Sequence, residues 1–464
     1  MLVPFTGQSF DDGAYGLPAA RLINWYAEAA PDRPDRGFRL LPVPGVVPFH
    51  GDADGKAVTG LELQDATGHI LAHTGDTLRV LDRSGALVAS HALAAAAHVT
   101  RFAKSQLDVV ASTGEQAFTL SDAGLAEVVL PDGASGGILD AAEAAQRHIY
   151  VEDGSARMWW SDVADAATVK ADAFLTAEDD SDNLRAVRTF QGSVYLYGAR
   201  SIQVLRPSGN EDAPFYPSPG GTIPKGVVGR AAVTAADFGQ FFVGDDNLVY
   251  RLSGYQAERI STSWIERRVG DVAGADRPAI LLTTYSWEGH TFIVLRLPGV
   301  GTWAWDAATR LWHRQQSYGA ADATSHRAAF LDVDGTVFVG MADGRVGTLT
   351  RDTLREMGGQ TVCLAGSIVP IEDGRPVIRN AVIEAQSGQS VLEDPLRIEM
   401  RMSPDGRVWR RWIDQSVGKV GEYGHRAVVG PFGRFAPPLM ALEIRYSGDV
   451  PLAINGVKLN AARP

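Results

Sequence analysis

Apolar residues in this chain come in short runs, many alternating with polar ones, and the runs end at glycine or aspartate. Alternation with period two is the signature of strands with one buried face, and Gly/Asp punctuation marks turns. Seven segments share one form: strand, tight turn, strand, polar bend. They are "HILAHTGDTLRVLDRSG" from His69, "LDVVASTGEQAFTLSDAG" from Leu107, "HIYVEDGSARMWWSD" from His148 and "SVYLYGARSIQVLRPSG" from Ser193. "QFFVGDDNLVYRLSGYQ" from Gln240, "TFIVLRLPGVGTWAWDA" from Thr291 and "TVFVGMADGRVGTLTRD" from Thr336 complete the set.

Successive starts lie 38, 41, 45, 47, 51 and 45 residues apart, the spacing of a four-stranded propeller blade. The intervals leave room for flanking strands such as "AVRTF", "RAAVTAA" and "AILLTTYSW". Runs apolar on both faces ("TFIVL", "QFFVG") suit strands sandwiched between neighbouring blades. Helical periodicity is nearly absent. "ILDAAEAAQRHI" (138–149) is the best helix candidate, and the repeat favours two strands and a turn there instead.

From about Thr361 the pattern changes. "VIRNAVIEAQS", "LRIEMRMSPDG", "VWRRWIDQSV", "HRAVVGPFG", "LEIRYSGDV" and "LAINGVKLN" read as six closely spaced strands. In "LRIEMRM", Leu396, Ile398, Met400 and Met402 share one face, and Arg397, Glu399 and Arg401 the other. The expectation is therefore an all-β chain: an extended N-terminal arm over 1–56, a β-propeller of about seven blades over 57–360, and a C-terminal β-sandwich over 361–464.

Composition narrows the function. The length of 464 residues suggests two or three domains, unless one is a large β architecture. A single cysteine, Cys363, excludes an internal disulfide framework and any cysteine-based zinc cluster. A net charge of −12 disfavours an outer surface built to grip nucleic acid or anionic lipid. "MLVPFTGQSFDDG" has neither a basic nor an apolar signal region, and no run of 18 apolar residues occurs, so a soluble protein made in the cytosol is expected.

Each candidate for chemistry has a plainer reading. "GASGG" (133–137) fits the G-x-S-x-G pattern around Ser135, but a nucleophile elbow needs alternating strands and helices, so an interblade loop is expected. "AEDDSDN" (177–183) lacks the spacing of a calcium loop and reads as solvated; "DVDG" (332–335) reads as a turn. "SPDGRVW" (403–409) approaches an aspartate box but is one residue short and outside the repeat, so Asp405 and Gly406 read as a bend. His290, His313 and His326 stand singly beside strands, without metal-ligand spacing. Trp303, Trp305 and Trp312, in "GTWAWDAATRLWHRQ", would suit sugar stacking but match apolar core positions of sister blades; Asp306 and Thr309 bracket their turn. Arg410, Arg411 and Trp412 form one short basic-aromatic stretch. The expectation is no catalytic, cofactor-binding or metal residue.

"SGYQAERISTSWIE" (253–266) and "EGHTFIVLRLPGVGTWAWDAATRLWHRQQS" (288–317) resemble the tail hub or nozzle proteins of short-tailed bacteriophages, the packaged-DNA stabilisation family. Further islands run in the family's order: "RLINWYAEAAPDRP" with Asn24, Tyr26 and Glu28; "LLPVPGVVPF" with Pro44 and Gly45; residues 175–209; and 405–433. The resemblance implies a non-enzymatic virion protein, made in the host cytoplasm and built into the phage tail. It implies a homo-oligomeric ring, commonly a hexamer, with a portal adaptor and with tail fibre, spike or needle proteins as partners. Genomic double-stranded DNA would pass through the channel without sequence-specific binding, and no membrane insertion is implied. An acidic lumen would repel the phosphates. Loops shorter than those of some relatives leave the gate undefined. The alternative is a propeller carbohydrate-binding module or glycosidase-like enzyme, which would need export, repeated aspartate boxes or a metal constellation.

Overall fold

A computed structural model describes residues 2–3, 21–30, 38–177, 182–320, 324–372, 374–386 and 395–462. The chain forms two compact units, one of residues 48–300 and 326–348, the other of 1–47, 301–325 and 349–464.

The first unit is a seven-bladed β-propeller. Five blades are complete four-stranded antiparallel meanders, spanning 58–92, 101–128, 138–176, 184–223 and 233–259. The sixth contributes the hairpin Leu281–Trp287 and His290–Leu297, and the seventh Arg327–Val333 and Thr336–Met341 with the start of Val346–Thr350. The first strand of each blade touches the first strand of the next, and Arg327–Val333 packs against Val58–Gln64, so the ring of seven closes.

Alternation explains why the blades stack. In the strand His69–Thr74, Ile70 and Ala72 join a core with Ala329, Val333 and Phe338 of blade seven, while Leu71 between them joins Val109 and Ala111 of blade two. Both faces are buried, at roughly 1.5–3 kcal/mol for each large aliphatic side chain. Separate cores join blades two to three and three to four in the same way. The segment 138–149 is a hairpin, Ile138–Ala144 and Arg147–Glu152, turned by Ala145 and Gln146 at φ 54° and 60°. Residues 332–335 make a similar turn, with Asp334 and Gly335 at φ 52° and 77°. One helix was not anticipated: Ser263–Gly270, capped by the Thr262 hydroxyl and buried through Trp264, Ile265 and Val269.

The second unit has two sheets over one core. One orders Gly301–Asp306, Trp312–Arg314, Leu22–Ile23, Cys363–Pro370, Leu439–Tyr446, Arg397–Ser403 and Ile413–Ser416. The other orders Trp25–Ala29, Phe38–Pro42, Ile454–Ala462, Val377–Ala385 and Ala427–Val429. Ile398, Met400 and Met402 face the core, and Arg401 on the opposite face pairs with Glu443. The six strand-like segments after Thr361 all contain strands.

Residues 22–29 and 38–50, expected within an extended arm, instead supply strands. Trp25 and Tyr26 are fully buried, and Leu22 and Ile23 pair with Ala365 and Leu364. Burying these aromatics fixes a segment whose partners are far away in sequence.

Candidate functional site

The propeller axis holds a cavity of about 420 Å³, lined by the first strands of all seven blades. At one end, guanidinium groups cross the axis. Arg101 of blade two donates to the carbonyls of Ala231 (2.9 Å) and Val233 (2.8 Å) at the entry to blade five. Arg230, just before blade five, donates back to Val99, to Leu139 and to the Ser112 carbonyl at 3.2 Å. Arg188 pairs with Asp140 at 2.6 Å, and Asp140 also accepts from the Val187 amide at 3.1 Å. Three cations thus share one buried carboxylate. Burial, then the neighbouring Arg188, holds the Arg101 guanidinium well below its ordinary range. Burial pushes Arg230 down to about 10.

Lys104 closes the strand that Arg101 opens, about 10 Å further along an extended chain. It lies 3.4 Å from both Glu62 and Asp65. Burial pushes Glu62 up, against the pull of Lys104.

Ser135 is tied into its loop by a carboxylate. Its amide and hydroxyl both donate to Glu152 at 2.6 Å, and Trp159 donates to the other oxygen at 2.9 Å. Burial alone would raise Glu152, but these bonds hold it below the usual carboxylate range. The glycines beside it serve contact: a Cβ on Gly136 would lie 2.3 Å from the Asp153 carbonyl oxygen, and one on Gly137 2.1 Å from that of Glu115.

A serine, an aspartate and a histidine do meet at a place that no motif marks. The Ser105 hydroxyl lies 2.5 Å and His148 Nε2 2.7 Å from the same Asp108 oxygen. The carboxylate sits between the other two, so the imidazole is not placed to take the serine proton as it would in a hydrolase triad.

Trp303, Trp305 and Trp312 are 4%, 5% and 0% exposed, which removes them as sugar-stacking faces. Their turn is held by Asp306, which accepts from the Ala308 amide (2.9 Å) and the Thr309 hydroxyl (2.7 Å). His313 is buried 6.0 Å from the Tyr26 ring, His290 stacks on Phe292, and His326 is exposed at the start of blade seven. No group of three or more His, Cys, Asp or Glu among the described residues is placed to hold a metal.

Asp405 organises the 403–409 turn through the amides of Arg407 and Val408, both at 2.8 Å, and those amides hold its carboxyl low. Trp409 and Trp412 lie 4.6 and 4.4 Å from the Arg401 guanidinium, Arg410 lies over Phe435, and Arg411 is exposed. The acidic loop is described only in part: 178–181 lie outside the described residues, and Asp182 accepts from Ser201.

Buried aromatics, internally paired carboxylates and an axis closed by arginine define a β-propeller scaffold of structural type. The chain belongs to the phage stabilisation family described as bacteriophage P22 Gp10, beta-propeller, whose model matches residues 7–354. It is a structural phage protein of the DNA-stabilising kind. No curated protein matches the chain. Among solved structures it is similar to the computationally designed Ika8 protein, at 12% identity over 66% of this chain and 99% of that one, with a TM-score of 0.41. It is also similar to the RRP9 WD40 repeats, at 10% identity over 67% and 99%, TM-score 0.43. A third is BamB from Moraxella catarrhalis, at 12% over 67% and 91%, TM-score 0.39. Likenesses at this level carry no argument.

Proposed function

We propose that several copies of this chain, six by the family resemblance, form the tail hub or nozzle ring of a short-tailed phage. The ring encloses the DNA exit channel, retains the packaged genome and takes part in its ejection, without catalysis. A portal adaptor on one side and fibre, spike or needle proteins on the other are the partners this position requires, and the assembled virion is its location.

The closed axis is the observation that carries the reading. The grooves of B-DNA, about 8.5 and 7.5 Å deep, already demand a bore of roughly 16 Å. A duplex of that width would fill the 420 Å³ cavity in roughly 2 Å of its length, and the arginines cross that path. DNA therefore cannot thread a single propeller; a channel must form between copies. The net charge of −12 suits a wall along which phosphates slide without adhering.

Light scattering of the purified chain and electron microscopy of the particle test this. A closed ring around a central density is expected, six-fold if the copy number follows the family. A monomer at every concentration, absent from the particle or hydrolysing glycosides, overturns the reading.

A further inference from the structure

We propose that one edge of the second unit, formed by residues 405–434, docks on the outer strands of propeller blades two and three in the next copy of this chain. The inference rests on the tail-ring reading and names the two surfaces through which neighbouring copies meet.

The first ground is the division of charge. The propeller unit holds 22 Lys and Arg against 35 Asp and Glu, and the second unit 21 against 20. Nearly all of the negative charge therefore lies on the propeller. Within it, residues 121–176 carry three cations and ten acids, whereas 405–434 carry six cations and three acids. Potentials of opposite sign on one chain attract when copies meet front to back, and like edges repel. Such a contact is heterologous, the kind that closes into a ring.

The second ground is that these charges are free to pair. Ile413–Ser416 and Ala427–Val429 each end a sheet and pack on each other, and Gly433–Arg434 follows along the same neighbouring strand. This edge exposes Arg411, Lys419, Arg426 and Arg434, none within ion-pair distance of an acid among the described residues. The acids of the stretch are already engaged: Asp414 by Arg397 at 2.5 Å, Asp405 by amides, and Glu422 by the Lys419 amide at 3.1 Å. On the propeller, the outer strands Gly124–Val128 and Asp165–Thr176 pack side by side. Asp122, Glu127, Asp132, Asp165 and Asp172 are exposed there, with no cation at ion-pair distance among the described residues.

The third ground is apolar. Tyr423 is 74% exposed and Val408 67%, with Val420 and Val428 also open; the rim opposite exposes Val129 (68%), Val163 and Phe174. Charge alone suffices to keep an edge strand from pairing, and a surface built for phosphates gains nothing from valine. Five of the six cations are arginines, and arginine and tyrosine are enriched where proteins meet while lysine is depleted. A second copy answers both the charge and the apolar groups.

The test is sedimentation velocity of the full chain at about 0.1 M salt, where charges within roughly 10 Å still interact. Arg411→Glu with Arg426→Glu should raise the concentration for half assembly about tenfold or more, and so should Glu127→Lys with Asp172→Lys. An equal mixture of the two double variants should assemble again, because each then offers the other an opposite surface. Tyr423→Ser should weaken assembly about threefold or more. An unaltered chain that stays monomeric at every concentration overturns the ring and this interface together. Assembly undiminished by Arg411→Glu with Arg426→Glu leaves the ring standing and overturns the edge. A mixture that stays dissociated overturns the pairing of edge with rim. Binding of a DNA duplex lost in the arginine variant, with assembly unchanged, assigns the edge to nucleic acid instead.

Discussion

Asn24 and Gln316, 292 positions apart, exchange two hydrogen bonds: the Asn24 amide donates to the Gln316 carbonyl at 2.8 Å, and the Gln316 N–H returns one to Asn24 Oδ1 at 3.0 Å. The same amide nitrogen donates to Val362 at 2.8 Å, so one side chain ties three distant segments. Its backbone has φ 54°, a conformation that asparagine tolerates better than most residues.

Asn24→Ala is therefore expected to destabilise the chain by about 4–5 kcal/mol. That sums three side-chain bonds at roughly 1 kcal/mol each and the cost of a left-handed alanine. Asn24→Asp should lose nearly as much, because a carboxylate cannot donate to two carbonyls. Urea midpoints at unchanged m measure both; a shift under 0.5 kcal/mol, by the usual size of surface changes, would show that the three segments are held otherwise.

Arg230→Met is expected to cost several kcal/mol. It leaves the carbonyls of Val99, Ser112 and Leu139 without their side-chain donor across the axis, at about 1–3 kcal/mol for each group left unsatisfied. Because the arginine joins blades two and three to the entry of blade five, hydrogen exchange should quicken in all three. Acceleration confined to blade five would mean that the bonds do not brace the ring.

How much of this could be read beforehand depended on sequence distance. The blades were legible because Ile70, Leu71 and Ala72 state their own burial, and "TVFVG" or "QFFVG" repeat the statement at a regular interval. The strands within 22–29 and 38–50 were not, because Leu22 and Asn24 find their partners more than 290 residues later. The Ser263–Gly270 helix is too short for its period to stand out. The axial arginines were the least visible. Arg101, Asp140, Arg188 and Arg230 come from four successive stretches, and only closure of the ring brings them together.

The tryptophan hairpin gives a stability prediction in place of a binding one. Asp306 is 1% exposed and caps its own turn, so Asp306→Ala should cost about 0.5–2 kcal/mol, in the range of lost side-chain caps. Oligosaccharides should leave tryptophan fluorescence unchanged, since Trp303, Trp305 and Trp312 offer no open face. A sugar-dependent quench lost in Trp303→Phe would reverse that conclusion.

His73 sets an acid limit. It is fully buried, its Nδ1 lies 2.5 Å from the Thr100 hydroxyl, and Nε2 has no partner among the described residues. Burial, opposed weakly by Asp76, pushes its pKa from 6.5 down to about 4. The unfolded chain then binds the proton more readily than the folded one, so this contribution is fully present above pH 6.5 and is lost as pH falls toward 4. Between about pH 7.5 and pH 5 the linkage amounts to about 2 kcal/mol. His98, also lowered by burial, adds a pH dependence of its own, so the informative quantity is a difference. Urea unfolding of the unaltered chain and of His73→Gln at both pH values isolates it. The variant should be less stable at neutral pH, where it disturbs a packed site, yet lose about 2 kcal/mol less on acidification. Parallel losses in the two proteins would mean that His73 takes up its proton in the folded state without penalty, and that the acid sensitivity of the propeller lies elsewhere.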